Sequence, residues 1–217
     1  WRGALSGLAV APHGSAGTLR RVEMIHSGHP LPDESSVSAA ERLLALAEDS
    51  GEDDLVLVLL SGGASALACL PGEGLALEEK QRLTSELLRS GATVREINCV
   101  RRHLSRFKGG RLALAAPPAR LLTLAISDVV GDRPEDIGSG PTAADPSGIA
   151  ESRAILTRYG IEAPEAGWSE TPEQVPGAWC LVANAATALE AAAARARRLG
   201  YRVRMLECEG EAREAGR

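Results

Sequence analysis

The stretch DLVLVLLSGGASALA, residues 54–68, decides the fold. After Asp54 it is apolar at six consecutive positions, Leu55 to Leu60, which predicts a central parallel strand buried on both faces. The strand runs into the glycine-rich turn SGGAS, residues 61–65, where a helix is expected to begin. A buried strand followed by a glycine turn and a helix is typical of α/β proteins, and we predict that class.

A second continuous apolar strand is predicted at Leu121 to Ile126, and it opens onto the polar loop SDVVGDRPEDIGSGPT, residues 127–142. In open parallel sheets, ligands bind beyond the carboxyl ends of the strands. We therefore expect this loop and the SGGAS turn to reach the same cleft.

The remaining elements follow from periodicity and from turn residues. Strands are predicted at Leu5 to Val10 and Arg21 to Ile25, with a helix at 37–47 capped by Asp33 or a neighbouring serine. Further helices are predicted at 77–89, from Thr93 to the Gly109-Gly110 break, and at 148–159. We predict a large domain over 1–160, a proline-rich linker over 161–178 and the start of a second domain over 179–217, with a strand at 180–183, a helix at 185–199 and a strand at 201–206.

Composition limits the class of protein. The 217 residues are 44% hydrophobic, carry a formal net charge of -5 and include only three Trp, two Tyr and one Phe. A core of aliphatic residues suits helices packed on a sheet. The longest apolar run is far shorter than the ~20 residues that span a bilayer, and no basic-plus-apolar leader opens the chain, so a soluble cytoplasmic protein is expected. The four cysteines are too far apart to indicate a zinc site or a disulfide framework.

Two glycine-containing turns are candidate phosphate sites. In SGGAS, glycines allow backbone N–H groups to approach an anion, and Ser61 and Ser65 add hydroxyl donors. The turn matches neither GxxxxGK[ST] nor GxGxxG, and a turn without a ligand is nearly as good an interpretation. The GSGPT turn, with Gly138, Ser139 and Gly140, is a second candidate for a nest of backbone amides, and a plain turn explains it equally well.

Carboxylates cluster in the loop after the second strand. Asp128, Asp132 and Asp136 are candidates to hold Mg²⁺ or to act as a general base. Acidic loop residues are more often solvated or cap a helix. Asp128 is the favoured functional residue, because it lies immediately beyond the strand.

The segment RRHLSRFKGGR, residues 101–111, contains five cationic side chains and a histidine in an acidic chain. Helical spacing places Asn98, Arg101, Arg102 and Ser105 on one face, with Lys108 at the exit into the glycines. A solvated helix face is the simplest interpretation. Nucleic-acid binding is disfavoured because the segment has a single phenylalanine and the chain has a net negative charge. A compact phosphate or carboxylate is the better ligand.

Together, HPLPDE, LLSGGASAL, EINCVRRHLSRFKGGRLA, ISDVVGD and GSGPT resemble the class II glycerate 2-kinase family, also called the MOFRL family. The resemblance is near-continuous from about Gly28 to Thr142. It implies a three-layer α/β/α Rossmann-like domain with a parallel sheet, a smaller α/β domain, and ATP- and Mg²⁺-dependent phosphorylation of D-glycerate at its 2-hydroxyl. Some members of the family carry the name hydroxypyruvate reductase.

The resemblance also implies roles for particular residues. Asp128 is expected to be the base or the metal-linked carboxylate, with Asp132 as its alternate. His29 either lines the cleft or packs a loop, and Glu211 and Arg213 match the opening of the second domain. The nucleotide phosphates are assigned to Ser61, Gly62, Gly63, Ser65, Gly138, Ser139 and Gly140. The glycerate carboxylate or the transferred phosphate is assigned to Asn98, Arg101, Ser105 and Lys108.

Members of that family are longer, with a glycine-rich turn and a catalytic lysine expected before Trp1 and most of a second domain expected after Arg217. Lys80, in the LEEKQRL helix, and Lys108 do not replace that lysine, so an incomplete kinase is expected. An NAD(P)-dependent hydroxypyruvate reductase is the alternative, but it requires a GxGxxG motif that these 217 residues lack. A non-catalytic anion-binding fragment is the third interpretation. The expected partners are glycerate and ATP, with no nucleic acid and no membrane, and a homodimer is left open.

Overall fold

A computed structural model describes residues 3–206 of the chain. The described elements combine parallel strands with intervening helices, and the predicted α/β class is confirmed. In chain order they are β1 (Leu8–Pro12), β2 (Glu23–Ser27), α1 (Glu34–Glu48), β3 (Leu55–Leu60), α2 (Ala64–Leu67), α3 (Leu77–Arg89), α4 (Val94–His103), α5 (Arg111–Ala115), β4 (Arg120–Ile126), a 3₁₀ turn (Ile137–Ser139), α6 (Ile149–Arg158), β5 (Ala178–Ala183) and α7 (Ala185–Arg198). Cys208, Glu211 and Arg213 lie outside the described residues.

The strands form two sheets. β1 and β2 are a parallel pair, and a three-stranded sheet has the order β3-β4-β5. β3 and β4 are parallel, with Leu55 opposite Arg120 and Leu60 opposite Ala125. Their carboxyl ends therefore meet at one edge of the sheet, as the sequence predicts.

β3 does not have the central place that its sequence predicts. Within the described part of the chain it lies at the edge of its sheet and pairs with β4 alone. Val56 and Val58 pack against buried residues of the core, whereas Leu59, on the opposite face, is 71% exposed. The strand is apolar on both faces but covered on one, because burial depends on which elements pack against each face.

The main apolar core lies among α3, α4 and α6. Leu83 and Leu87 of α3 pack with Val100 and Leu104 at α4 and with Leu156 of α6. α1 begins with a capping box in which Asp33 and Ser36 exchange hydrogen bonds, confirming Asp33 as the predicted cap.

α4 ends earlier than predicted, at His103 rather than at Gly109-Gly110. Leu104 leaves the helical region, and the Lys80 ammonium donates to the carbonyls of Arg101 and Leu104, which a longer helix would have used. The Ser105 hydroxyl then accepts from the amides of Phe107 and Lys108 and stabilises a turn. The basic segment therefore covers the end of α4 and the start of α5, which begins at Arg111.

The predicted linker, residues 161–178, contains almost no regular structure but is hydrogen-bonded to the preceding fold. Arg111 donates to the carbonyls of Ser169 and Glu170, and Thr171 donates to Asp145. By contacts the chain divides into two compact units, one ending at Val182 and the other beginning at Ala183. The predicted domain boundary at 178/179 remains a prediction.

Residues 201–206 do not form the predicted strand, since no described strand pairs with them. No helix within residues 3–206 is both long enough and apolar enough to cross a membrane. Cys69, Cys99 and Cys180 are free thiols.

Candidate active site

Three of the sequence motifs are joined by a chain of side-chain hydrogen bonds. The Ser65 hydroxyl of the SGGAS turn lies 2.6 Å from the Ser139 hydroxyl of the GSGPT turn. Ser139 in turn donates to Asn98 of α4 at 2.9 Å, and the Asn98 amide donates to the carbonyl of Asp136 at 3.0 Å. The two candidate phosphate turns and α4 are therefore held as one unit.

The SGGAS turn also meets Asp128, which follows β4. A Cβ atom at Gly62 would lie 2.4 Å from Oδ2 of Asp128, so a larger residue there would displace this carboxylate. Asp128 is exposed. The ends of β3 and β4 therefore place a glycine turn and a free carboxylate side by side, as the sequence predicts.

The turn has the backbone donors that an anion needs. Gly63 has a positive φ of 86° and begins α2. The amides of Ala66 and Leu67 donate to the Gly63 carbonyl, whereas the amides of residues 63–65 have no hydrogen-bond partner among the described residues. Because α2 has only four residues, these oriented amides matter more than a helix dipole.

His29 lies against this turn. Its ring approaches the position of a Cβ at Gly63 to 3.2 Å, and the side chain is exposed. Both predicted roles for His29 fit this position, since the ring packs on the turn and also faces solvent at the cleft.

Arg102 and His103 have structural contacts. Arg102 is buried and donates through Nε to Asp145 at 2.7 Å and through Nη1 to Asp136 at 3.1 Å. Burial opposes ionisation of Asp145, but Arg102 and Ser147 outweigh it, and the pKa of that carboxyl is lowered. His103 Nδ1 lies 2.9 Å from the Cys99 carbonyl and 3.0 Å from the Ser152 hydroxyl. The Asp136 carboxylate thus forms a buried ion pair with Arg102.

Lys108 is buried directly beneath the SGGAS turn. It is 1% exposed, and its ammonium donates to the carbonyls of Ser65 at 2.7 Å and Ala68 at 2.9 Å. Burial, with Lys80 and Arg101 nearby, lowers the pKa of Lys108 to about 7. The predicted anion-binding lysine thus lies under the turn, inside the protein.

Arg101, Lys108 and Lys80 line one small cavity, together with Ser65, Cys69 and Thr84. Burial lowers the pKa of Lys80 to about 8 and also lowers the pKa of Arg101. The cavity brings cations from α3, α4 and the basic segment to one place.

The remaining predicted site residues occupy supporting positions. Asn98 is buried in the hydrogen-bond chain described above, and Ser105 is fully buried, donating to the Leu70 carbonyl. Asp132 is partly buried with a positive φ of 51°. Ser61 is exposed at the end of β3, and Gly138 packs against Ala64.

Within residues 3–206, no three His, Cys, Asp or Glu side chains are grouped to hold a metal ion. Mg²⁺ in phosphoryl-transfer sites commonly uses about one or two carboxylates together with water and substrate phosphates. The single exposed carboxylate of Asp128 beside the glycine turn fits that donor set.

Lys80 and Thr84 are among the cavity-lining residues that sequence analysis did not assign to the site. A signal for Lys80 was present, because it lies three and seven residues before Leu83 and Leu87, on the apolar face of α3. A lysine on the buried face of an amphipathic helix indicates a cation inside the protein.

The model of a family described as a domain of unknown function, DUF4147, matches residues 1–168. The chain belongs to this family. The match covers the strands, turns and helices that form the cavity and the Asp128 edge. It therefore includes every residue assigned above to the candidate site.

Several named proteins are similar to the chain. A D-glycerate 2-kinase of Thermotoga maritima is 42% identical over 97% of this chain and 52% of its own length. A protein of Agrobacterium vitis named putative hydroxypyruvate reductase is 48% identical over 98% of this chain and 51% of its own length. The chain thus spans about half the length of the curated relatives it matches.

Solved structures agree with the fold. A crystal structure of glycerate kinase from Thermotoga maritima matches with a TM-score of 0.81 and 42% identity, covering 90% of this chain and 49% of that one. A protein from Pyrococcus horikoshii matches with a TM-score of 0.79 and 40% identity, covering 91% and 48% respectively. The parallel α/β architecture is therefore shared with a glycerate kinase.

Proposed function

We propose that the protein transfers the γ-phosphoryl group of ATP to the 2-hydroxyl of D-glycerate, giving 2-phosphoglycerate. The observation that carries the proposal is the SGGAS turn, whose free amides lie beside Asp128 and above a cavity lined by cations. Phosphoryl transfer requires positioned anions and charge stabilisation more than a covalent catalyst, and this arrangement supplies both. The 42% identical relative named D-glycerate 2-kinase supports the choice of substrate.

In this mechanism the backbone amides of Gly63, Ala64 and Ser65 hold the nucleotide phosphates, with the Ser61 hydroxyl as a further donor. The turn formed by Gly138, Ser139 and Gly140 has the amides of Ser139 and Gly140 bonded to the carbonyls of Asp136 and Ile137, so it acts by supporting the SGGAS turn. The hydrogen bond between Ser65 and Ser139 fixes the two turns relative to each other.

Asp128 is proposed to accept the proton of the 2-hydroxyl or to hold Mg²⁺, and Asp132 is the alternate for that role. Mg²⁺, when bound with the nucleotide, would neutralise charge on the transferring phosphoryl group. Gly62 allows Asp128 to approach the turn closely enough to act on a substrate bound there.

Arg101 and Lys108 supply positive charge at the acceptor end of the site. A guanidinium group suits both a carboxylate and a phosphate because its donors form a planar fork. Asn98 and Ser105 are proposed to act through the loops that they hold, and His29 lines the outer side of the turn.

A reductase is the second candidate, because the relative from Agrobacterium vitis carries that name. Two assays on the complete translated product of the gene separate the functions. A kinase consumes NADH only when glycerate, ATP and ADP-coupling enzymes are present. Direct oxidation of NADH by hydroxypyruvate, without ATP, would support the reductase instead.

Under this proposal the partners are two small molecules, glycerate and ATP. Assembly as a homodimer and a cytoplasmic location stay predictions from the sequence.

A further inference from the structure

The cavity beneath the SGGAS turn carries positive charge without a counter-ion. Lys80 and Lys108 are 3% and 1% exposed, and Arg101 is partly buried. No Asp or Glu lines the cavity, and none lies within ion-pair distance of these three side chains among residues 3–206. Buried cations without partners are costly, so the cavity is suited to an anion.

Several polar groups in the cavity retain unused donors. Lys80 uses its ammonium on the carbonyls of Arg101 and Leu104, and Lys108 uses its own on two others. Since an ammonium has three N–H groups, each lysine retains one. The Arg101 guanidinium makes no hydrogen bond to any described side chain or backbone group.

Thr84 provides an independent observation. It is 5% exposed, lies one helical turn after Lys80 on α3 and lines the same cavity. Its hydroxyl makes no hydrogen bond to another group among residues 3–206, and its oxygen is not sealed from the cavity. An oxygen atom bound in the cavity would give this hydroxyl a partner.

We propose that Lys80 and Thr84, with Arg101 and Lys108, bind the carboxylate of the acceptor acid. This inference rests on the kinase function proposed above and adds α3 to its substrate site. The cavity is too small for a nucleotide, which favours a small anionic group such as a carboxylate. The carboxylate would sit between α3 and α4, leaving the hydroxyl directed at the turn and Asp128.

The test compares D-glycerate with its neutral analogue glyceramide as acceptors. We expect Lys80→Met to raise KM for glycerate about tenfold or more, and Thr84→Val to raise it about threefold to tenfold, because charge-assisted hydrogen bonds are the stronger ones. KM for ATP and the use of glyceramide should change little in either variant. The control is Arg82→Met, which removes an exposed cation of the same helix that pairs with Glu86.

If Lys80→Met loses activity toward glycerate and glyceramide alike, the substitution has damaged the structure. The isosteric Thr84→Val variant then tests whether the cavity binds the carboxylate. An unchanged KM for glycerate in Thr84→Val, with normal folding, would overturn the inference. Calorimetric binding of D-glycerate separates this failure from failure of the kinase proposal. If the wild-type protein binds glycerate and Lys80→Met weakens that binding, but no phosphorylated product forms, the carboxylate site is supported and the kinase proposal is contradicted.

Inorganic phosphate is the competing anion. If phosphate displaces glycerate from the wild-type protein with equal affinity, and Lys80→Met abolishes phosphate binding, the assignment of the cavity to a carboxylate is overturned.

Proton uptake is a further readout, since a bound carboxylate should raise the depressed pKa values of Lys80 and Lys108. The other titratable or charged groups facing these lysines are Cys69, Arg101 and Arg111. We expect uptake at pH 8 in the wild type and less in Lys80→Met.

Discussion

At the scale of single residues, the close approach of Gly62 and Asp128 joins the ends of β3 and β4. The first belongs to the turn after β3 and the second to the loop after β4, and a Cβ on the glycine would collide with the carboxylate. Sequence analysis found both residues because each lies two positions after the end of an apolar strand.

Replacing Asp128 with Asn tests its role as base or metal ligand. We expect kcat to fall about 100-fold or more, the usual loss for a positioned acid–base group, while stability stays unchanged because the side chain is exposed. Steady-state kinetics and thermal melting measure the two effects. Asp53→Asn, at another exposed position, is the matched control. If Asp132→Asn gives the larger loss, Asp132 holds the role instead.

Replacing Gly62 with Ala tests the close approach itself. The new methyl group should displace the Asp128 carboxylate and lower kcat by about tenfold or more, since small misplacements of reacting groups are costly. Gly51→Ala is the control, because its Cβ would meet Asp54 at an ordinary 3.6 Å. Equal activity of Gly62→Ala and wild type would show that this approach has no catalytic importance.

Not every site residue could be predicted at this scale. Arg101 and Arg102 are adjacent in sequence and chemically identical, yet Arg102 lies in a buried ion-pair network and Arg101 lines the cavity. The difference arises from Asp136 and Asp145, which lie more than 30 positions later in the chain. A local pattern contains no information about that pairing.

At the scale of elements, β3 and β4 show what an apolar run predicts and what it does not. Both strands form where the sequence places them, because consecutive aliphatic residues fit a buried parallel sheet. Whether each face is covered depends on elements distant in sequence, so the exposure of one face of β3 was not predictable. The early end of α4 has a similar cause, since Lys80 from α3 takes its last carbonyls.

Alanine substitutions on the two strands test this asymmetry. Leu121→Ala, at a position 6% exposed in β4, should cost about 2–4 kcal/mol of unfolding free energy, because it opens a cavity in the core. Leu59→Ala, at a position 71% exposed in β3, should cost no more than about 0.5 kcal/mol. Urea denaturation of the chain measures both. A large cost at Leu59 would show that this face is covered in solution.

At the scale of the whole molecule, the buried lysines should make stability depend on pH. Folding depresses the pKa of Lys80 to about 8 and that of Lys108 to about 7, mainly through burial. Below these values both lysines are charged in the folded state and destabilise it. As pH rises toward the ordinary lysine pKa of ~10.4, the unfolded state binds more protons and the folded state gains stability.

We therefore expect the unfolding free energy of the anion-free protein to rise between pH 7 and pH 9, by at most about 1.4 kcal/mol per pH unit for each lysine. Lys80→Met should show a flatter profile, whereas Arg82→Met, at an exposed site, should keep the wild-type slope. Chemical denaturation in buffers without phosphate or sulfate measures the slopes. Parallel profiles for wild type and Lys80→Met would mean that Lys80 titrates normally.

The whole-molecule prediction from sequence succeeded for the fold class, because strands, glycine turns and amphipathic helices each have a local signature. It failed where pairing decides the outcome, as in residues 201–206, which find no neighbouring strand among the described residues. The predicted convergence of the SGGAS turn and Asp128 depended only on parallel strands ending at one edge.

The most direct test of the proposed function is product analysis with the complete translated product of the gene. Protein is incubated with D-glycerate, ATP and Mg²⁺, and the product is supplied to enolase without phosphoglycerate mutase, so that only 2-phosphoglycerate gives phosphoenolpyruvate. We expect phosphoenolpyruvate to form in an ATP-dependent manner and to disappear with Asp128→Asn. No product from glycerate, together with direct oxidation of NADH by hydroxypyruvate, would contradict the kinase assignment.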